Sequence, residues 1–90
     1  MAMLTNPGYN VGVTITPSDT ANIVCPAGRV VTDAVYVGTK GATGTIVGVT
    51  QNDDTITLVG VVAGTIYPLQ VKRINQTTTD ASDLVALFSV

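Results

Sequence analysis

Apolar residues alternate with Thr, Gly and polar residues along much of the chain, at the spacing of two that marks a strand with one buried face. The alternation is firmest over residues 45–74 and predicts three antiparallel strands in a row. Gln51, Asn52, Asp53 and Asp54 supply the first turn, because Asn and Asp tolerate the positive φ of a tight hairpin loop. A two-residue loop centred on Asn52 and Asp53 sets Val49 opposite Ile56 and Val47 opposite Leu58 on one face. The other face then carries Thr50 against Thr55, Gly48 against Thr57 and Ile46 against Val59. Residues 60–64 make the second reversal and residues 69–74 return, with Pro68 at a strand start, edge or bulge because it lacks an N–H.

The same reading gives four further strands. Val11, Val13 and Ile15 alternate with Gly12, Thr14 and Thr16, and residues 22–25 form a short second strand. In residues 30–37, Val31, Asp33, Val35 and Val37 share one face, while Val30, Thr32, Ala34 and Tyr36 share the other. A Gly-rich loop over residues 38–44 carries Lys40, and residues 75–83 form the longest polar loop, facing solvent or a partner. Residues 84–88 are apolar at every position, so this strand is covered on both faces. Leu84, Ala86 and Phe88 point one way, and Val85 and Leu87 the other. One set fills the core. The other requires a second cover, either residues 1–10 or another subunit. The reversal before this strand pairs it with residues 69–74.

Together these segments predict an all-β fold, a single small β-sandwich or barrel-like domain of about seven short, mainly antiparallel strands. Residues 11–90 make the domain, and residues 1–10, with the turn sequence Asn6-Pro7-Gly8, make an N-terminal arm lying on the domain or on a neighbour. Composition agrees: the chain has fifteen Val and fifteen Thr but five Leu and no Glu, and β-branched residues suit a pleated surface.

Charge changes the picture further. Charged residues make up 11% of the chain, against about 25% in an average soluble domain. Either a Thr-, Ser- and Asn-coated surface is polar without charge, or the subunit buries much of its outside against copies of itself or a larger assembly. A mean hydropathy of +0.44 with no segment long enough to span a bilayer suits the second reading and argues against a membrane partner. The net charge is −2 and the cations Arg29, Lys40, Lys72 and Arg73 are scattered, which argues against a nucleic-acid surface. Lys72 and Arg73 point to opposite faces. Lys72 is expected in solvent and Arg73 near a strand end beside an Asp of its own or a neighbouring subunit, unless both are simply solvated. The N-terminus has no basic region followed by an apolar core, so it does not read as a secretory signal.

Candidate chemistry is sparse. There is no His and no Glu, and the single Cys25 excludes an intrachain disulfide. Cys25 reads as a small buried residue, or as a thiol with no His to activate it. Metal sites built on His or several Cys are excluded within one chain. Asn52, Asp53 and Asp54 lack the spacing and distal bidentate Glu of a calcium loop. Asp80 and Asp83 read as ordinary loop solvation. Gly41, Gly44 and Gly48 have neither the Gly-Lys-Ser/Thr ending nor the strand-to-helix context of a phosphate loop. Thr pairs such as Thr55 and Thr57 recur at no fixed period, and one Phe, three Tyr and no Trp supply a poor stacking platform for sugars. No catalytic, cofactor or metal site is expected, and the chain does not read as an enzyme.

The run Val61-Val62-Ala63-Gly64-Thr65-Ile66-Tyr67-Pro68-Leu69-Gln70-Val71-Lys72-Arg73-Ile74-Asn75, a Thr-rich loop, and then Leu84-Val85-Ala86-Leu87-Phe88 resemble the C-terminal half of small tailed-phage virion proteins. These include the head spike-base proteins of gene transfer agents and phage head decoration (cement) proteins. The resemblance covers residues 30–90, and the loop Thr77-Thr78-Thr79-Asp80 lacks the Gly often seen there. It implies a β-structured virion protein, made in the host cytoplasm and placed on the outer surface of the capsid. Such a protein self-associates as a trimer or pentamer and binds the major capsid protein, with a spike or fibre protein as a further partner. The candidate contact residues are Val85, Leu87, Tyr67, Arg73, Thr77, Thr78 and Thr79. The alternative function is a receptor- or glycan-binding module of a fibre or spike.

Overall fold

The computed structural model describes residues 9–90; the expected arm lies outside them except for Tyr9 and Asn10. The described chain is all-β and has no helix. Its strands are β1 (Val11–Ile15), β2 (Ala34–Thr39), β3 (Ile46–Val49), β4 (Thr55–Leu58), β5 (Thr65–Tyr67), β6 (Arg73–Ile74) and β7 (Ser82–Phe88). They form two antiparallel sheets, one of four strands in the order β1-β7-β2-β5 and one of three in the order β4-β3-β6.

The core lies between the sheets. Ile15, Val35, Val37, Leu84, Ala86 and Phe88 enter it from the four-stranded sheet, and Ile46 and Ile74 from the other. Val61, Val71 and Ala81 fill it from the connections. The alternation expected in the last strand is present: Leu84, Ala86 and Phe88 are buried, while Val85 and Leu87 on the opposite face are half-exposed. Gly48 also faces the core, in a strand buried along its whole length. A Cβ there would lie 2.8 Å from a methyl of Val71, so Gly is required by packing.

The hairpin between β3 and β4 forms, but its register is shifted by one from the expected pairing. Val49 pairs with Thr55, Val47 with Thr57, Gly48 with Ile56 and Ile46 with Leu58. The cause is loop length. The Asp53 amide bonds the Thr50 carbonyl at 3.0 Å, and the Thr50 amide bonds the Asp54 carbonyl at 2.9 Å. That leaves three loop residues rather than two, with the positive φ at Asp53 (68°) and not at Asn52. The slip turns Ile46, Gly48, Ile56 and Leu58 to the core side. Val47 and Val49, expected there, are buried on the other face.

The third strand of the expected meander does not form as such. After β4 the chain crosses to the other sheet, where β5 pairs with β2. At Pro68 it turns back, the Leu69 amide bonding the Tyr67 carbonyl at 2.8 Å. Only β6 remains of residues 69–74 as strand, and it pairs with β3. Residues 69–71 instead engage Thr32, which is fully buried. The Thr32 hydroxyl donates to the Leu69 carbonyl at 2.6 Å and accepts from the Val71 amide at 3.2 Å. The expected strand over residues 30–37 therefore begins only at Ala34. Residues 22–25 form no strand: there the Ile23 amide bonds the Lys72 carbonyl at the border of β6. Finally, β7 does not pair with residues 69–74. It lies between β1 and β2, which the distance between these segments in sequence conceals.

Candidate assembly surface

The outer face of the four-stranded sheet is built from the alternate residues of its strands. Thr14, Val85, Tyr36 and Ile66 form one row across all four strands, each paired with the next. Gly12, Leu87 and Ala34 form the adjacent row. None of these side chains is charged. Ile66 is 48% exposed, and Tyr36, Val85 and Leu87 are half-exposed. A Cβ on Gly12 would lie 3.5 Å from Val85 and 3.9 Å from Leu87, so the absence of a side chain there leaves these two residues open along one flank. Tyr36 and Ile66 belong to this surface although the sequence reading did not single them out. The alternation of Tyr36 with Val35 and Val37 carried the signal.

The other expected contact residues lie elsewhere. Tyr67 pairs with Val35, so it turns to the core side, and its hydroxyl accepts from the Val62 amide at 2.8 Å. Arg73 is opposite Val49 in the three-stranded sheet. It bonds the side-chain oxygens of Asn75 (3.1 Å) and Asn22 (3.2 Å), not an Asp. Lys72, expected in solvent, is the residue that pairs with Asp53. That partner lies across the hairpin loop, 19 residues away in sequence, and local sequence does not reveal it. The structure thus places Val85 and Leu87 on one sheet's outer face and Arg73 on the other sheet.

Thr77, Thr78 and Thr79 belong to a loop held by carboxylates and amides. Asp19 accepts from the Thr77 amide (2.9 Å) and hydroxyl (2.6 Å). The Thr79 hydroxyl accepts from the Val47 amide at 3.0 Å. Between them Thr78 has a φ of 76°, a conformation that β-branched residues adopt rarely. Asp80 then plugs the loop that follows Lys40. Its carboxylate accepts from the amides of Thr43 (2.9 Å), Gly44 (3.2 Å) and Thr45 (2.6 Å) and from the Thr43 hydroxyl (2.7 Å). Three successive amides converge because Gly44 takes a left-handed φ of 63°, which makes the backbone an anion-holding nest. The Thr43 hydroxyl and these amides hold the Asp80 carboxyl down at about 2, well below the usual carboxylate range. Hydrogen bonds from Thr77 lower Asp19, the Ser89 amide lowers Asp33 despite partial desolvation, and Lys72 lowers Asp53. These carboxylates have internal partners and are framework. Cys25 is half-buried, and burial pushes its thiol up, away from reactivity. Among the described residues no group of three or more His, Cys, Asp or Glu is placed to hold a metal ion.

No family model matches the chain, and no curated protein does. A solved structure does. A chain in the capsid of a native gene transfer agent (GTA) particle, computed with C5 symmetry, shares 30% identity with this chain. The match covers 89% of this chain and 83% of the capsid chain, with a TM-score of 0.71. Sequence and fold agree over most of both chains, and this protein therefore belongs to the family of that gene transfer agent capsid chain, as a phage-capsid-related protein.

Proposed function

We propose that this protein is a structural subunit of a phage-like head, which decorates or cements the capsid or forms the base of a head spike. It does so by symmetric self-association and by binding the major capsid protein on the outer surface of the particle, after synthesis in the host cytoplasm. The observation that carries this reading is the 30% identity to a chain of a gene transfer agent capsid over most of both chains. Two rows of the four-stranded sheet's outer face, Thr14-Val85-Tyr36-Ile66 and Gly12-Leu87-Ala34, carry no charge and support it, the one charged residue of that face within β7 being Asp83 at the strand's start. Val85 and Leu87 are the residues proposed to be covered on assembly, and fully burying a Val or Leu contributes about 1.5–3 kcal/mol. Repeated around a closed trimer or pentamer, small contacts of this kind add up and leave no sticky end. Thr77, Thr78 and Thr79 form a preset polar loop for a second contact, to the capsid or to a spike or fibre protein, with Arg73 of β6 as a further contact residue.

Sedimentation tests the self-association directly. Wild type is expected to form a closed oligomer, and Val85→Asp or Leu87→Asp to break that ring into smaller species while the far-ultraviolet spectrum stays β. A wild-type monomer at every concentration contradicts the reading. So does an oligomer that both Asp variants leave intact. A variant lacking residues 1–10 separates the rival cover: if only that variant associates, the arm covers this face within one chain.

A further inference from the structure

We infer that the free edge of β1 is a strand-addition site, at which β1 of a second copy pairs antiparallel about a two-fold axis through Val13. This contact is independent of the outer face invoked above, because it uses the sheet's edge.

β1 is the outermost strand of its sheet and is paired on one side only, with β7. Edge strands of folded proteins are normally blunted by charge, proline, shortness or a covering segment. The other three edges show such devices. The far edge of β6 is covered, since the Ser18 amide bonds the Ile74 carbonyl at 2.9 Å and the Ile23 amide bonds the Lys72 carbonyl at 2.8 Å. β5 has 3 residues and is followed by Pro68. β4 has 4 residues, two of them exposed Thr, and follows directly on Asp53 and Asp54. β1 has 5 residues, Val-Gly-Val-Thr-Ile, with no charge and no proline. Among the described residues no segment pairs with its free edge.

The ground beside that edge is mainly apolar. A groove of about 450 Å³ is lined by Val13 and Ile15 of β1 and by Pro17, Ala21, Ile23 and Val24 of the segment that follows, with Thr14, Thr16, Ser18 and Asn22 among them. Val24 is 81% exposed there. An extended backbone laid along β1 would meet the amides and carbonyls that β7 does not use, and its apolar side chains would enter this groove.

The order of residues in β1 selects the occupant. Read in either direction from Val13, the strand runs β-branched, small or Thr, β-branched. Antiparallel pairing of two copies about Val13 sets Val13 against Val13, and Val11 against Ile15 twice. All three pairs fall on the core side, where Val11, Val13 and Ile15 already lie. Gly12 then meets Thr14 twice on the outer side. A slip of one residue would set Gly12 and Thr14 against the apolar triad, so the register is specified. The two-fold contact uses up both edges, stops at two copies and joins two four-stranded sheets into one of eight.

Cysteine scanning in a Cys25→Ser background tests this. Opposed Cβ atoms across such a pair lie about 4.5–5.5 Å apart, close enough for mild oxidation to join them after a small shift. Val13→Cys is expected to give a disulfide-linked dimer, whereas Val11→Cys and Thr14→Cys, whose own copies are displaced along the strand, give none. The Val13→Cys dimer should persist when Val85→Asp is added, because the edge contact does not use that face. The proposal is overturned if Val13→Cys stays monomeric on oxidation while circular dichroism shows it folded. It is equally overturned if Val11→Cys or Thr14→Cys links as readily. If Val13→Cys itself fails to fold, the unmodified protein decides: Val85→Asp sediments as a dimer if the edge pairs and as a monomer if it does not. A dimer that appears only after removal of residues 1–8 overturns the second copy as occupant in favour of the chain's own N-terminus.

Discussion

Asp80 shows how much a single side chain organises in this protein. Its carboxylate gathers three amides and a hydroxyl from residues 43–45 and so fixes the loop between β2 and β3 to the Thr-rich loop before β7. Its pKa is depressed from the ordinary carboxylate value of 3.8 to about 2 by the Thr43 hydroxyl and the amides of residues 43–45. The stability it contributes is therefore fully present above about pH 4 and is lost as the pH falls toward about 2. Asp19, Asp33 and Asp53 are lowered in the same direction and add to the same slope. The melting midpoint should be flat from neutral pH down to about pH 5 and fall steeply below about pH 4. Asp80→Asn should lower the midpoint at pH 7, because an amide NH₂ faces amide donors, and should flatten the acid limb. An acid limb as steep as that of wild type would show that the nest does not hold Asp80. Asp53 gives a second residue-scale prediction. With its φ of 68°, Asp53→Val should lower the midpoint by several degrees, roughly 4–8 °C per kcal/mol of strain, while Asn52→Val changes it little. Lys72→Met controls for the lost ion pair and should have a small effect, as surface pairs do. Thermal melts of the three variants decide the matter. The role of Asp80 was not legible from the chain around it, since its partners lie 35–37 residues away.

At the scale of elements, what depends on local alternation was readable and what depends on partnership was not. The inward set Leu84, Ala86 and Phe88 follows from period two alone. The pairing of β7 with β1 and β2 does not, because neither is its neighbour in sequence. The hairpin shows the same boundary in miniature: its existence was legible from Asn52 and Asp53, but one extra loop residue turned Ile46 and Gly48 to the core in place of Val47 and Val49. Residues 22–25 have strand-like composition yet form none, since the one backbone bond that Ile23 makes there caps β6. The candidate contact residues divide likewise. The outward placement of Val85 and Leu87 follows from alternation, whereas their separation from Arg73 and Tyr67 follows from the crossing of the chain between sheets. Packing gives the prediction at this scale. Gly48→Ala forces a Cβ to 2.8 Å from Val71, which is fully buried between the sheets. Overpacking of this kind costs about 1–3 kcal/mol, which chemical denaturation would measure as a lower midpoint with an unchanged slope. Leu84→Ala should cost about 2–5 kcal/mol in the same experiment through the cavity it leaves.

For the molecule as a whole, the proposal of assembly rests on three observations: a charged fraction of 11%, two uncharged rows across the outer sheet face, and kinship with a chain of a gene transfer agent capsid. The carboxylates of Asp19, Asp33, Asp53 and Asp80 make internal bonds that tie the loops to the rest of the domain. The most direct measurement is co-sedimentation of purified protein with phage-like heads that lack it, followed by imaging of the pelleted particles. Wild type should pellet with the heads to a saturating ratio and appear at symmetry-related positions on their outer surface, and Val85→Asp should remain largely in the supernatant although folded. Wild type that stays in the supernatant at every concentration, beside heads competent to package, would contradict the account.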